Sequence, residues 1–165
     1  MAIWHFVVSL VPKTGIIAVH GEIPDSLDQF RAQIGKNVFS DSHELFDYWK
    51  DTEISDQTIS MVSERLPALR SWSDRARMFG TNKGNRIELW DSRIVCYYDA
   101  RINQSDLLEL FCEIAANLEC VLVLKDNGKI INPNKDLLIE AYQLSIAKSF
   151  VLNPKKTIVN QGKKY

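Results

Sequence analysis

The feature that most limits how this chain can fold is a change of period. Between Leu27 and Leu69 the apolar residues recur at helical spacing. From Arg77 they alternate with polar ones, as in strands with one buried face. Arg77–Thr81 and Arg86–Trp90 flank Asn82-Lys83-Gly84-Asn85, which reads as a hairpin with glycine in its turn. A third strand, Arg93–Ile102, alternates Ile94, Cys96, Tyr98 and Ala100 with Val95, Tyr97, Asp99 and Arg101. Cys120–Leu124 and Lys129–Ile131, joined through Asp126-Asn127-Gly128, form another hairpin.

Ile3–Val11 is β-branched and aromatic, stops at Pro12, and reads as the first strand. Lys13-Thr14-Gly15 reads as a turn and Ile16–Val19 as a short second strand. Pro24-Asp25-Ser26 opens a helical segment with Leu27, Phe30 and Ile34, closed by Gly35. Asp41 or Ser42 caps a helix over 41–51, and Ser55 caps another whose stripe is Ile59, Val62, Leu66 and Leu69, with a kink or new first turn at Pro67. Ser105 caps a helix carrying Leu107, Leu110, Phe111, Ile114 and Leu118. Pro133-Asn134 begins one with Leu137, Ala141, Leu144 and Ala147. Strands gathered in hairpins predict an α+β fold, an antiparallel or mixed sheet with helices packed on one face. One domain is expected over 1–154, followed by a lysine-rich tail over 155–165 that should fray.

The 165 residues suffice for a core without staples. No apolar run approaches the roughly 20 residues of a membrane helix. The start lacks the cationic region of a secretion signal. Cys96, Cys112 and Cys120 lie at neither disulfide-framework nor zinc-ligand spacing. A reducing, cytoplasmic setting follows as an expectation, with no metal and no cofactor. His5, His20 and His43 form no metal-binding pair. They read as structural or surface histidines, although a Cys–His dyad could still form through the fold. No glycine cluster suits a phosphate loop.

Charge is uneven although the net is −1. Glu22–Asp56 holds nine acids and three bases, whereas Arg65–Arg86 holds six bases and one acid. Arg70, Trp72, Arg75, Arg77 and Phe79 interleave cations with aromatics, as single-strand binders do. The slightly acidic whole argues against nucleic acid as a partner. On a helix over 41–51, Leu45, Phe46 and Trp49 fall on one face, while Asp41, Glu44, Asp47 and Asp51 fall on the other around Tyr48. The acidic face is solvated, docks a basic protein, or holds a metal or catalytic pair. Docking is favoured over catalysis because an amphipathic aromatic among charges suits an interface.

Residues 76–154 resemble small bacterial immunity proteins encoded beside polymorphic or contact-dependent secreted toxins. The resemblance rests on Ser92–Arg101, the helix Leu107–Leu118, Lys129–Pro133 and Ser145–Pro154. It implies a protein that neutralises a cognate toxin effector domain, often a nuclease, by non-covalent occlusion. The expected partner is then a basic protein toxin, met through Asp41, Glu44, Asp47, Tyr48 and Asp51, with neither nucleic acid nor membrane involved. A binding or adaptor protein or secretion chaperone with another target is the first alternative. An enzyme assembled from dispersed residues such as His5, Asp99 and Arg101 is the second.

Overall fold

The computed structural model describes residues 2–30 and 46–162. In chain order they form β1 (His5–Pro12), α1 (Lys13–His20), a 3-10 turn (Asp28–Phe30), α2 (Asp56–Arg65), β2 (Ala68–Leu69), β3 (Ala76–Gly80), β4 (Arg86–Trp90) and β5 (Arg93–Asp99). Then come α3 (Ser105–Asn117), β6 (Cys120–Leu124), β7 (Ile130–Ile131), α4 (Lys135–Gln143), α5 (Ile146–Leu152) and α6 (Pro154–Gly162). The strands make one sheet in the order β2-β3-β4-β5-β1-β6-β7, antiparallel at every pairing. The fold is α+β, as the hairpin pattern predicts.

β1 lies between β5 and β6, in register from His5 opposite Asp99 to Pro12 opposite Cys120, and is buried on both faces because side chains pack above and below the sheet there. Its alternation sends Phe6, Val8 and Leu10 to the main core with Ile87, Leu89, Ile94, Cys96, Leu122 and Leu124. Val62 of α2, Leu110, Phe111 and Ile114 of α3, Leu138 of α4 and Ala147 of α5 close over that face. Phe111 is wholly buried, so truncation to alanine costs about 3–5 kcal/mol. On the opposite face, Val11, Val121 and Val123 meet Ile16 of α1, Leu27 and Tyr48 in a smaller cluster. Helices therefore cover one face as expected, and α1 adds cover to the other.

Three local expectations need correction. Residues 13–20 are helical rather than turn and strand. Their β-branched residues suggest a strand, yet only Ile16 is buried, and Gly21 closes a helix end in the left-handed conformation with its N–H on the Ile17 carbonyl. α2 stops at Arg65 instead of kinking through Pro67, because the residue before a proline is driven out of the helical region. Leu66 accordingly has φ −130 and ψ 137. The helix expected from Asn134 through Ala147 is two helices. Ser145 caps α5 by accepting from the Lys148 N–H, and the Asp126 carboxylate takes the Ile146 N–H. Pro154–Gly162, which takes in most of the lysine-rich tail, is helical, with the Asn153 carboxamide accepting from the Lys156 N–H.

The helix expected over 41–51 also fails where it can be seen. Residues 48–51 form a turn, and 46–47 lie outside any regular element. Asp41 and Glu44, with the rest of that helix's first turn, lie outside the described residues, as does the end of the helical segment expected near Ile34 and Gly35. No described helix is long and apolar enough to cross a membrane.

Candidate interaction surfaces

Sheet register brings together the three residues named for a dispersed active site. His5 lies opposite Asp99 in the β1–β5 pairing, and Arg101 folds back onto Asp99. Asp99 Oδ1 accepts from the Arg101 backbone N–H at 3.0 Å and from Nε at 2.9 Å, and Oδ2 accepts from Nη2 at 2.7 Å. The Asn85 carboxamide accepts the Asp99 N–H at 2.7 Å and donates to Gln104 at 2.6 Å. His5 Nε2 meets the Lys83 carbonyl at 3.3 Å. A carbonyl only accepts, so that nitrogen carries the proton.

Burial pushes the His5 imidazole below its ordinary value, against the raising influence of the Lys83 bond and Asp99. Burial also pushes the Asp99 carboxyl up, but the Arg101 donors outweigh it and hold the group below its ordinary value. A general base needs its acceptor nitrogen within reach of a nucleophile's proton. Here Arg101 donors occupy both carboxylate oxygens, and the acceptor nitrogen of His5, Nδ1, meets no hydroxyl or thiol proton among the described residues. The geometry is that of a clamp closing the 81–85 turn onto the ends of β1 and β5. The thiols stand apart from it. All three are buried and free, and burial pushes Cys112 up to about 11 and Cys120 up to about 12, far from a nucleophile's range.

A second constellation occupies the sheet face away from the main core. Alternation places Arg86, Glu88 and Trp90 on that face of β4, opposite Tyr97, Val95 and Arg93 of β5. The buried Glu88 carboxylate accepts from Arg86 Nε at 2.8 Å and from the Trp90 indole at 3.0 Å. Arg86 Nη1 donates to the Asn82 carbonyl. The same guanidinium lies 4.2 Å from the Tyr97 ring centre and 5.4 Å from that of Trp72. Arg93 stacks on Trp90 at 4.5 Å. Trp72, anchored on a buried cation, is 61% exposed. The cation–aromatic interleaving read along 70–79 is split by the strand: Arg77 and Phe79 are out of phase with the Arg86 face, and Phe79 is buried in the main core.

The third surface is the turn after residue 45. Asp47 Oδ1 accepts the Trp49 N–H, and the Trp49 indole donates to the Leu10 carbonyl, so the turn is pinned to β1. Gly15 of α1 lies against the Tyr48 backbone, where any Cβ would collide with the Tyr48 carbonyl. Gln29 bonds both the N–H and the carbonyl of Phe46.

In this turn the expected roles of two aromatics are exchanged. Tyr48, expected outward, is 4% exposed, packs in the smaller core and shares a 2.8 Å hydrogen bond with His20. Phe46, expected in the core, is 42% exposed and stands edge-on to His20. A helical step of about 100° does not apply to a turn. Asp47 and Asp51 are exposed, as expected. Ile17, one turn before His20 on α1, is exposed as well. Exposed Phe46 thus meets the end of α1 at His20, with the exposed Asp47 next to it in the chain.

A scan of protein-family models, a search of curated proteins and a search of solved structures each return no match.

The described residues contain no group of three or more His, Cys, Asp or Glu side chains placed to hold a metal. Reasoning from sequence noted Trp72 only in the 70–79 interleaving and missed Trp90, Arg93 and Tyr97. Strand parity offered a signal for the last three, since Arg86, Glu88 and Trp90 share a parity opposite to Ile87 and Leu89. Trp72 sits in a loop without periodicity, so no sequence pattern places it over Arg86.

Proposed function

We propose that this protein works as an immunity-type inhibitor, binding a cognate bacterial toxin effector domain without a cofactor and occluding it. The observation that carries the reading is the surface around residue 46. Exposed Phe46, in contact with His20 of the helix that carries exposed Ile17, offers apolar surface, and the exposed Asp47 and Asp51 of the same turn offer acids. Interfaces combine a desolvated core with a polar rim, and acids at the rim steer a basic partner such as a phosphate-handling nuclease domain. The three hydrogen bonds that Arg101 gives Asp99 support binding over chemistry where that acid and cation meet His5.

The aromatic–arginine face at Trp72 offers residue types enriched among interface hot spots and is the alternative contact on the same chain. Capture of the tagged protein's partner in its native host, followed by titration of that purified partner, tests the proposal. A toxin domain inhibited by stoichiometric amounts of this protein supports it. A bound partner whose activity is unaffected favours an adaptor or chaperone.

A further inference from the structure

The C-terminal helices present a surface that none of the foregoing uses. After Glu140 the sequence has five lysines, no arginine and no acid. In α6 Thr157 is buried, its hydroxyl donating to the Asn153 carbonyl at 2.9 Å. Steps of about 100° per residue then put Lys155 between Ile158 and Val159 on the opposite side, with Lys156 beside them. Ile158 is 57% and Val159 54% exposed, and Leu152 at the end of α5 is 72% exposed. Aliphatic side chains and ammonium groups therefore alternate on one outward face instead of occupying separate ones.

That composition discriminates between partners. Protein interfaces are enriched in Trp, Tyr and Arg and depleted in Lys, and α6 has none of the first three. A charged bilayer accepts the opposite mixture: aliphatic groups enter the headgroup–acyl boundary while lysines meet anionic headgroups. From this complementarity we infer that the outer face of α6, with Leu152, lies on an anionic lipid surface. The attachment is peripheral and reversible, since the helix is nine residues long and has no aromatic anchor. It shares no residue with the Phe46 surface, so either reading stands or falls alone.

The test is co-sedimentation of the full chain with phosphatidylcholine vesicles, with and without an equal part of phosphatidylglycerol. The protein should pellet with the mixed vesicles only, and be released as salt is raised. Lys155→Glu/Lys156→Glu should abolish pelleting, and Ile158→Ser/Val159→Ser should weaken it by at least about tenfold, both with unchanged circular dichroism. Absence of binding to the mixed vesicles at low salt overturns the inference. So does binding indifferent to the serine pair, or equal lysine-dependent binding to polyglutamate or a DNA oligonucleotide, because the face would then be a general polyanion surface.

Discussion

Asp99 and Arg101 are joined through both carboxylate oxygens, which accept three hydrogen bonds from that one residue. The pair fixes the end of β5 and lays the guanidinium 4.4 Å from the Trp4 ring centre. Because Asp99 is held below the ordinary carboxyl value, its stabilising contribution is complete above about pH 4 and is lost as pH falls through its lower folded value. In Arg101→Gln, burial acts on the carboxyl without the guanidinium, so its folded value rises. The acid limb of urea midpoint against pH should then move to higher pH, and an unmoved limb would contradict the clamp.

His5 provides a second titration. Burial favours its neutral form, so stability is complete above about pH 6.5, the ordinary imidazole value, and declines as pH falls through the lower folded value. Melting temperature should fall between neutral and mildly acidic pH in the native protein. That slope should flatten in His5→Gln, even if the variant is less stable throughout.

At the Arg86–Glu88 pair both side chains are nearly inaccessible, at 11% and 5%. Removing one partner strands a buried charge, so Arg86→Ala should lose about 3–5 kcal/mol in urea unfolding. Trp72→Ala removes an exposed ring over the same guanidinium and should cost about 1 kcal/mol or less. Equal losses would mean that Trp72 is structural and not a free contact residue.

Gly15 tests how the 46–51 turn is held. Its missing side chain is where the Tyr48 carbonyl packs. Gly15→Ala should destabilise by about 1–3 kcal/mol despite the higher helix propensity of alanine, and should perturb the Tyr48 environment in near-ultraviolet circular dichroism.

Strand positions and facing were largely legible in the sequence because period two fixes both. Ile87, Leu89, Ile94 and Cys96 fall on the main core as their parity predicts. Helix ends were less legible. A proline at 67 predicts disruption but not whether the helix kinks or stops, and Ser145 reads equally as helix interior or cap. The surface near residue 46 was misread for a physical reason. Asp47 bonds the backbone two residues on, an alternative that short acidic side chains offer to helix formation. Once the helix is replaced by a turn, Phe46 and Tyr48 exchange environments. The clamp at Asp99 depends on non-local register between β1 and β5, which no local pattern encodes.

The most direct test of the central claim is the affinity of the captured partner for Phe46→Ala and for Asp47→Lys/Asp51→Lys, each confirmed folded. Phe46→Ala should weaken binding by about 2 kcal/mol, mainly through faster dissociation. The lysine pair should slow association, by an amount that shrinks as salt rises. Native association and dissociation rates in both variants at low salt would contradict the account and leave the Trp72 face as the contact.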